Sequence, residues 1–445
     1  QRHMRMRSAT ALVIANMIGA GIFTTTGFQA GDLGHPGIIF ALWIVGGSLA
    51  FLGALCYAEL GAMMPQAGGE YVYLRETYGP AFGFMSAFVS LTAGFSAAIA
   101  AATESFTVYL SHFIPVLTEQ QLLIGPIGVI DLVAVAIVWL LILIHMGAVR
   151  SGTGFNDFMT VFKVAGIAAI LLAAAAIGNG DIGNLTAVSS RFAEMSRTDT
   201  FSAFGTSLIF VMFTFSGWNA AAYVAGEMED PQKDLPKALL AGTITVLILY
   251  LGLNVVYFYG AHVDELAGQV EVGLVASRTL FGDWGVGLVT LVLCVSILAS
   301  ASAMTLAGPR VYYALGKDFS PFELLARTRS SGAPVIALVT QGVVTSIIIL
   351  SGRVDQIQQY AGFTLSLFAS LAVSCVIVLR VRFPNAERPF KAWGYPLSPV
   401  LFIAVSVWMM YWAIQGRPLE SALSLLTVIL GGIIFAVSVP KNRKQ

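Results

Sequence analysis

The stretch Met17-Ile18-Gly19-Ala20-Gly21-Ile22-Phe23 decides how this chain is read. It lies inside residues 8–33, a run apolar enough to cross a membrane. Gly19 and Gly21 weaken a helix there, because glycine gives up the most backbone freedom on becoming helical. Within lipid, backbone groups freed from a helix need other partners, and a break is tolerated where it lines a cavity. The outgoing half-helix then offers the N–H groups of Ala20, Gly21 and Ile22 to an anion at the positive end of its dipole. The incoming half is expected to leave carbonyls near Met17 and Ile18 bare, as acceptors for an ammonium. Valine at Gly19 is expected to abolish binding.

A second break is expected in Phe213-Thr214-Phe215-Ser216-Gly217-Trp218-Asn219, five spans further on. It leaves carbonyls near Phe213 and Phe215 in the same way, with the two rings placed to close over a ligand. Asn219 is expected to satisfy freed backbone groups or a polar ligand atom. Two polarised breaks at equivalent positions match a zwitterion and follow the broken-helix plan of secondary transporters.

Composition supports this setting. The chain has 445 residues, 57% hydrophobic and 11% charged, with mean hydropathy +0.80. Soluble domains carry about 25% charged residues. An all-α polytopic membrane protein follows. Net charge is zero, so nothing points to nucleic acid. Cys56, Cys294 and Cys375 fall in apolar segments with no metal spacing, and read as small packing residues. No metal and no cofactor is expected. The basic start from Arg2 to Arg7 runs directly into the first span and does not read as a cleavable signal.

Twelve spans are expected, roughly at 8–33, 37–64, 80–113, 126–147, 155–178, 200–228, 236–261, 284–315, 334–351, 356–380, 394–415 and 419–438. Residues 1–440 form one transmembrane domain, followed by a cytoplasmic tail at 441–445. Breaks in spans one and six predict a five-plus-five inverted repeat, about 8–178 against 200–380, with spans eleven and twelve at 394–438 appended. With both termini cytoplasmic, 18 of the 24 Lys and Arg face inside, 5 face outside, and Lys163 lies within the membrane. That bias fits the positive-inside rule. Residues 65–75 suit a short interfacial helix, and 262–283 permits a short outer one.

Lys163 sits inside span five, where a lysine costs about 2.5–3.5 kcal/mol on insertion scales. It is expected to face the bundle as a fixed or protonatable cation, doing electrostatically what a bound sodium ion does. It would hold span five to the inner half of span one through a carbonyl near the first break. Glu59, near the inner end of span two, reads as a gate, an anchor or an interfacial residue. Glu104, in the outer part of span three, reads a cationic group or moves a proton. Ser300 and Ser302 are polar positions between alanines in span eight, each expected to bond back to its own helix.

These residues resemble the amino acid–polyamine–organocation superfamily, and within it the L-type amino acid transporter branch and its bacterial relatives. The resemblance is carried by Ile18-Gly19-Ala20-Gly21-Ile22-Phe23, by Tyr57-Ala58-Glu59-Leu60-Gly61 through Pro65-Gln66-Ala67-Gly68-Gly69-Glu70-Tyr71, and by Phe213 to Asn219. Glu227-Met228-Glu229-Asp230-Pro231, Leu235-Pro236-Lys237-Ala238, Gly308-Pro309-Arg310-Val311-Tyr312-Tyr313-Ala314 and Arg388-Pro389-Phe390-Lys391 complete it. The resemblance implies alternating access for amino acids, with the carboxylate at the span-one break and the ammonium on carbonyls of spans one and six. Those roles fall on Ile18 to Ile22 and Phe213 to Ser216, with Met17 beside them. A span-five lysine in this branch stands where sodium-coupled relatives bind sodium, which implies sodium-independent exchange or facilitated diffusion.

Three departures narrow that expectation. Ala20 replaces a frequent serine, so one hydroxyl contact to the carboxylate is missing. Ser216 stands where members handling bulky side chains have glycine, which favours small to medium neutral amino acids. The cysteine that tethers animal relatives to a single-span glycoprotein has no counterpart between spans three and four, so no disulfide-linked subunit is expected. A bacterial inner membrane suits the chain. Proton-coupled symport through Lys163 or Glu104, or carriage of cationic amino acids, stays open. An enzyme or receptor is remote: His3, His35, His112, His145 and His262 lie near span ends or outside spans, with no metal-ligand spacing.

Overall fold

The computed structural model describes residues 4–66, 68–117, 122–124, 127–147, 152–328 and 333–438, with side chains omitted for 122–124 and 152–157. The expected tail 441–445 lies outside these residues, as do His3, Ala67 and several basic positions in the charge count, Arg2, Arg150 and Arg329 among them.

The protein is an all-α polytopic membrane protein. Among the described residues, ten helical stretches are long and apolar enough to cross a bilayer, from Met6–Leu33 to Pro418–Ser438. Two further segments complete the expected twelve. Span six is divided into Arg197–Thr214 and Ala220–Tyr223, and span nine is the shorter apolar helix Val335–Ile349. The strands described, Leu122–Ile124 and Ile127–Gly128, form one small antiparallel pair.

Both breaks form where expected, for different reasons. Span one stops at Met17 and restarts at Ala20, with Gly19 at φ −127° and ψ −158°. That backbone is extended and open to any residue, so conformational freedom does not explain the glycines. Close packing explains Gly21, where a Cβ would lie 2.9 Å from the Thr214 Cα of span six. At the second break Gly217 has φ +102°, a conformation that favours glycine, and a Cβ there would crowd the Asn16 backbone of span one. Each break therefore seats against the other span.

The packing is reciprocal between halves. Span two (Pro36–Met63) lies along span seven (Pro231–Gly260), span three (Pro80–Leu110) along span eight, and span four (Val129–Gly147) along span nine. Span one packs on five and seven as span six packs on ten and two. The contacts of spans one to five thus mirror those of spans six to ten, and Leu397–Gly416 and Pro418–Ser438 pack against spans six and ten and span three.

Two features differ from expectation, while helices within 262–283 form as the sequence permits. The helix after span two, Glu70–Tyr78, buries Glu70 through Leu74 instead of lying at an interface. The helix Val272–Asp318 is kinked at Gly282 (φ +65°), which separates an outer segment, 272–281, from span eight. Span three contains a π-helical stretch, Ser90–Ser96, a feature frequent at functional sites.

Candidate substrate cavity

A cavity of about 490 Å³ enters from the face that carries the N-terminus. Its walls come from Leu12 and Asn16 of span one, Ser90, Gly94 and Phe95 of the π stretch, Ser216 to Ala220 of the second break, and spans eight and ten. That size suits a small organic solute.

The opposite side is sealed by hydrogen bonds on the half of span one that follows the break, Ala20–Leu33. Thr25 Oγ1 lies 3.0 Å from Thr214 Oγ1 and donates to Gln358 Oε1 at 3.2 Å, while Gln358 Nε2 donates to Thr24 Oγ1 at 2.7 Å. Thr26 donates to Asn254 Oδ1 at 2.7 Å, and the Tyr109 hydroxyl donates to the Phe23 carbonyl at 2.7 Å. A cavity open at one face and closed at the other is one state of an alternating-access cycle. The seal was not anticipated, although three consecutive threonines after a glycine break were a visible signal.

The first break is held from within the protein. Lys163 Nζ donates to the carbonyls of Ala15 at 3.1 Å and Ile18 at 2.8 Å, and to Ser300 Oγ at 2.8 Å. That uses all three donors of an ammonium. Ser300 Oγ donates to the Ile18 carbonyl at 2.5 Å, so it serves the neighbouring span and not its own helix. The Tyr250 hydroxyl donates to the Met17 carbonyl at 2.6 Å and reaches the Thr214 carbonyl at 3.2 Å, tying the two breaks together. The carbonyls of Met17 and Ile18 are thus engaged, where bare acceptors were expected. The turn at the second break also occupies two carbonyls: Phe213 accepts from the Ser216 N–H at 2.9 Å and Phe215 from that of Trp218 at 3.3 Å. No side chain caps the helix beginning at Ala20.

The other expected site residues divide. Ser216 lines the cavity. Gly19 is half-buried and Ala20, Gly21 and Ile22 are buried, all off the cavity wall, and Phe213 is also buried beside the helix of span ten. Phe215 packs between Trp43 and Tyr250, with ring centroids 6.1 and 5.0 Å away, so it braces the break and lies off the cavity wall. Asn219 lines the cavity and donates to the Tyr223 hydroxyl at 3.3 Å. Ser302 pairs with His145 Nε2 at 3.0 Å, which joins span eight to span four away from Lys163. Glu104 is buried, and its Oε1 has no hydrogen-bond partner among the described residues.

Glu59 is an anchor. Arg380 Nε and Nη2 grip its two oxygens at 2.8 and 2.6 Å, and the Ala392 N–H donates to Oε2 at 2.7 Å. Arg388 Nε lies 3.4 Å from Oε1 without hydrogen-bond geometry, its side chain only 5% exposed. Breaking one partner of a buried pair costs about 3–5 kcal/mol, since the remaining charge loses its compensation. Glu59→Gln is expected to lower the thermal unfolding midpoint in detergent clearly. Removing Glu229 from its exposed pair with Arg5 should change it little, because surface pairs are worth about 0–1 kcal/mol. Equal shifts in the two variants would contradict the anchor assignment.

Sequence reasoning singled out neither Asn16 nor Glu70 as wall residues. Asn16 is one residue before the motif, and Glu70 follows a Gly-Gly pair. Glu70 accepts from the Tyr57 hydroxyl at 2.8 Å and the Tyr223 hydroxyl at 3.1 Å. Burial pushes its carboxyl above the ordinary range, and the two phenol donors oppose that rise.

Two broken spans, a cavity ending at one of them and a sealed far side define a multi-pass transporter of small polar solutes. A family model described as amino acid permease matches residues 5–435. The chain belongs to that family, within the amino acid–polyamine–organocation superfamily. It is 28% identical over 431 residues to the serine/threonine exchanger SteT of Bacillus subtilis (strain 168), covering 95% of this chain and 93% of the relative. It is 27% identical over 442 residues to the human b(0,+)-type amino acid transporter 1, covering 98% and 87%. The human cystine/glutamate transporter is 27% identical over 435 residues, covering 97% and 84%. Amino acid transport, including exchange, is the activity of this family.

Proposed function

We propose that the protein is a sodium-independent exchanger of small to medium neutral L-amino acids, working by alternating access. One observation carries this reading: Lys163 saturates its three donors on Ala15, Ile18 and Ser300. In this reading an ammonium held at the joint of spans one, five and eight takes the electrostatic place of a bound sodium ion. Exchange is supported by the name of the Bacillus relative. The substrate is proposed to sit at the inner end of the cavity, near Asn16 and Ser216, against the breaks formed by Met17–Ile22 and Phe213–Ser216. Lys163, Ser300 and the Thr24–Thr26 seal then couple its binding to opening of the far side. The bias of Lys and Arg favours cytoplasmic termini, and a bacterial inner membrane is the proposed location. No disulfide-linked glycoprotein subunit is proposed, and a covalent heterodimer on a non-reducing gel would overturn that.

The test is uptake of labelled L-alanine, L-serine and L-leucine into sodium-free proteoliposomes at equal pH. Uptake that requires unlabelled amino acid inside is the expected result. Uptake only under sodium or only under an inward proton gradient would overturn it. A second reading, proton-coupled symport, is favoured by one observation, the buried and half-unpartnered carboxyl of Glu104. The proton-gradient arm separates the two.

Ser216 limits the size of the pocket in this reading. Ser216→Gly removes one hydroxymethyl group from the cavity wall and is expected to raise L-leucine exchange relative to L-alanine by about 10-fold, the scale on which a pocket discriminates one or two carbon groups. An unchanged preference, measured by competition, would assign pocket size to other residues.

A further inference from the structure

We propose that Glu70 forms a second, vestibular site in the cavity, which takes the ammonium group of a substrate amino acid at the N-terminal face before it reaches the breaks. The inference rests on the amino acid transport reading above.

Glu70 opens the helix Glu70–Tyr78, outside the spans, and its side chain forms part of the cavity wall while remaining 4% exposed. Both oxygens accept phenol hydroxyls, from Tyr57 on span two and Tyr223 at the inner end of span six. A carboxylate offers about four acceptor positions, so two remain. No basic side chain of the described residues lies within ion-pair distance of it; Arg75 is engaged with Glu76 and Asp318, and Arg310 with Glu227. A buried carboxylate without a cation is costly, and the open cavity is the route by which a cation reaches it.

The surroundings select the kind of cation. A hard inorganic ion needs a cage of several oxygens. Here the neighbouring wall is apolar and aromatic, with the rings of Phe95 and Tyr223 at 6.3 Å between centroids. An ammonium on a carbon skeleton suits that wall, since it accepts one carboxylate, ring faces and apolar contact together. Arg310 and Lys317 line the same cavity with more exposed side chains; Arg310 is paired with Glu227, also on the wall, which leaves Lys317 as the positive charge toward the mouth. A zwitterion would enter with its ammonium inward on Glu70 and its carboxylate toward the mouth. Tyr223 and Asn219 lie next on the wall, bonded to one another, and lead to Ser216 at the break.

The test uses the full chain in proteoliposomes of known orientation, with half-saturation constants for L-serine and L-alanine exchange measured separately from each face. Glu70→Gln is expected to raise the constant about 10-fold at the N-terminal face, with the opposite face within about twofold, the loss expected for one charge-assisted contact. Glu70→Asp keeps the charge and should show a smaller rise at the same face. It stands as the test if the glutamine variant does not elute as a monodisperse protein. Replacing all sodium and potassium with N-methylglucamine should leave the wild type unchanged. A fall in wild-type affinity under that replacement would assign the site to an inorganic cation and overturn the proposal. Equal changes at both faces, or none in either variant, would also overturn it while leaving transport intact. Absence of any amino acid exchange by the wild type would overturn the transport reading itself, and this inference with it.

Discussion

Lys163→Ala is expected to reduce amino acid exchange about 10- to 100-fold while the protein stays folded. The side chain holds the carbonyls of Ala15 and Ile18 and the hydroxyl of Ser300, all within 3.1 Å. Hydrogen bonds to a charged group contribute about 1.5–3 kcal/mol each, and about 1.4 kcal/mol is a factor of ten. Alanine removes them at the point where span one changes direction, so the inner half of that span loses its tether to span five. Folding is protected because Ser300 still donates to the Ile18 carbonyl and Tyr250 to that of Met17. The measurement is exchange in proteoliposomes alongside size-exclusion elution in detergent. Wild-type rates in a well-behaved variant would remove Lys163 from the mechanism. Sodium dependence appearing in the variant would support the view that the ammonium substitutes for an ion.

Gly21→Ala is expected to abolish exchange, whereas Gly19→Ala should have a much smaller effect. A Cβ at Gly21 would lie 2.9 Å from Thr214 Cα, a backbone atom that cannot rotate away. At Gly19 the nearest atom is Ser300 Oγ at 3.6 Å, an ordinary contact, and the extended backbone accepts a side chain. Forcing a methyl group into a packed contact costs about 1–3 kcal/mol, here at the joint where the outer half of span one seals against span six. The expected loss of binding on substitution at Gly19 therefore moves to Gly21. A valine at Gly19 still adds two branches toward the Lys163–Ser300 cluster and is a weaker test. Paired exchange and thermal-unfolding measurements on the two alanine variants decide it; equal loss at both positions would mean that the break needs glycine for its backbone.

Much of the architecture was legible because a bilayer imposes long apolar runs, and breaks in such runs stand out. The positions of both breaks, the twelve segments and the tether from Lys163 to a carbonyl near the first break could all be read along the chain. Contacts between distant segments were not legible. Nothing along the chain indicates that Tyr250 occupies the Met17 carbonyl, that Phe215 is wedged between Trp43 and Tyr250, or that Ser302 meets His145. Glu59 and Glu104 look alike as intramembrane acids, yet Glu59 is gripped by Arg380 beside Arg388, while one oxygen of Glu104 has no partner among the described residues. The cavity wall was only half read, because Asn16 and Glu70 acquire their place from helices that arrive more than a hundred residues later.

The sequence by itself determined the class of fold, the number of spans and the two points where helices must yield. These follow from local terms: the cost of polar groups in lipid and the weakness of glycine in a helix. Tertiary structure alone decided which polar groups are spent inside the protein and which face the cavity. A carbonyl freed by a break is equally available to a substrate, to Tyr250 or to Lys163, and only the approach of span five, seven or eight selects among them. The same holds for Gly21, whose need for a missing side chain comes from a threonine nearly two hundred residues away.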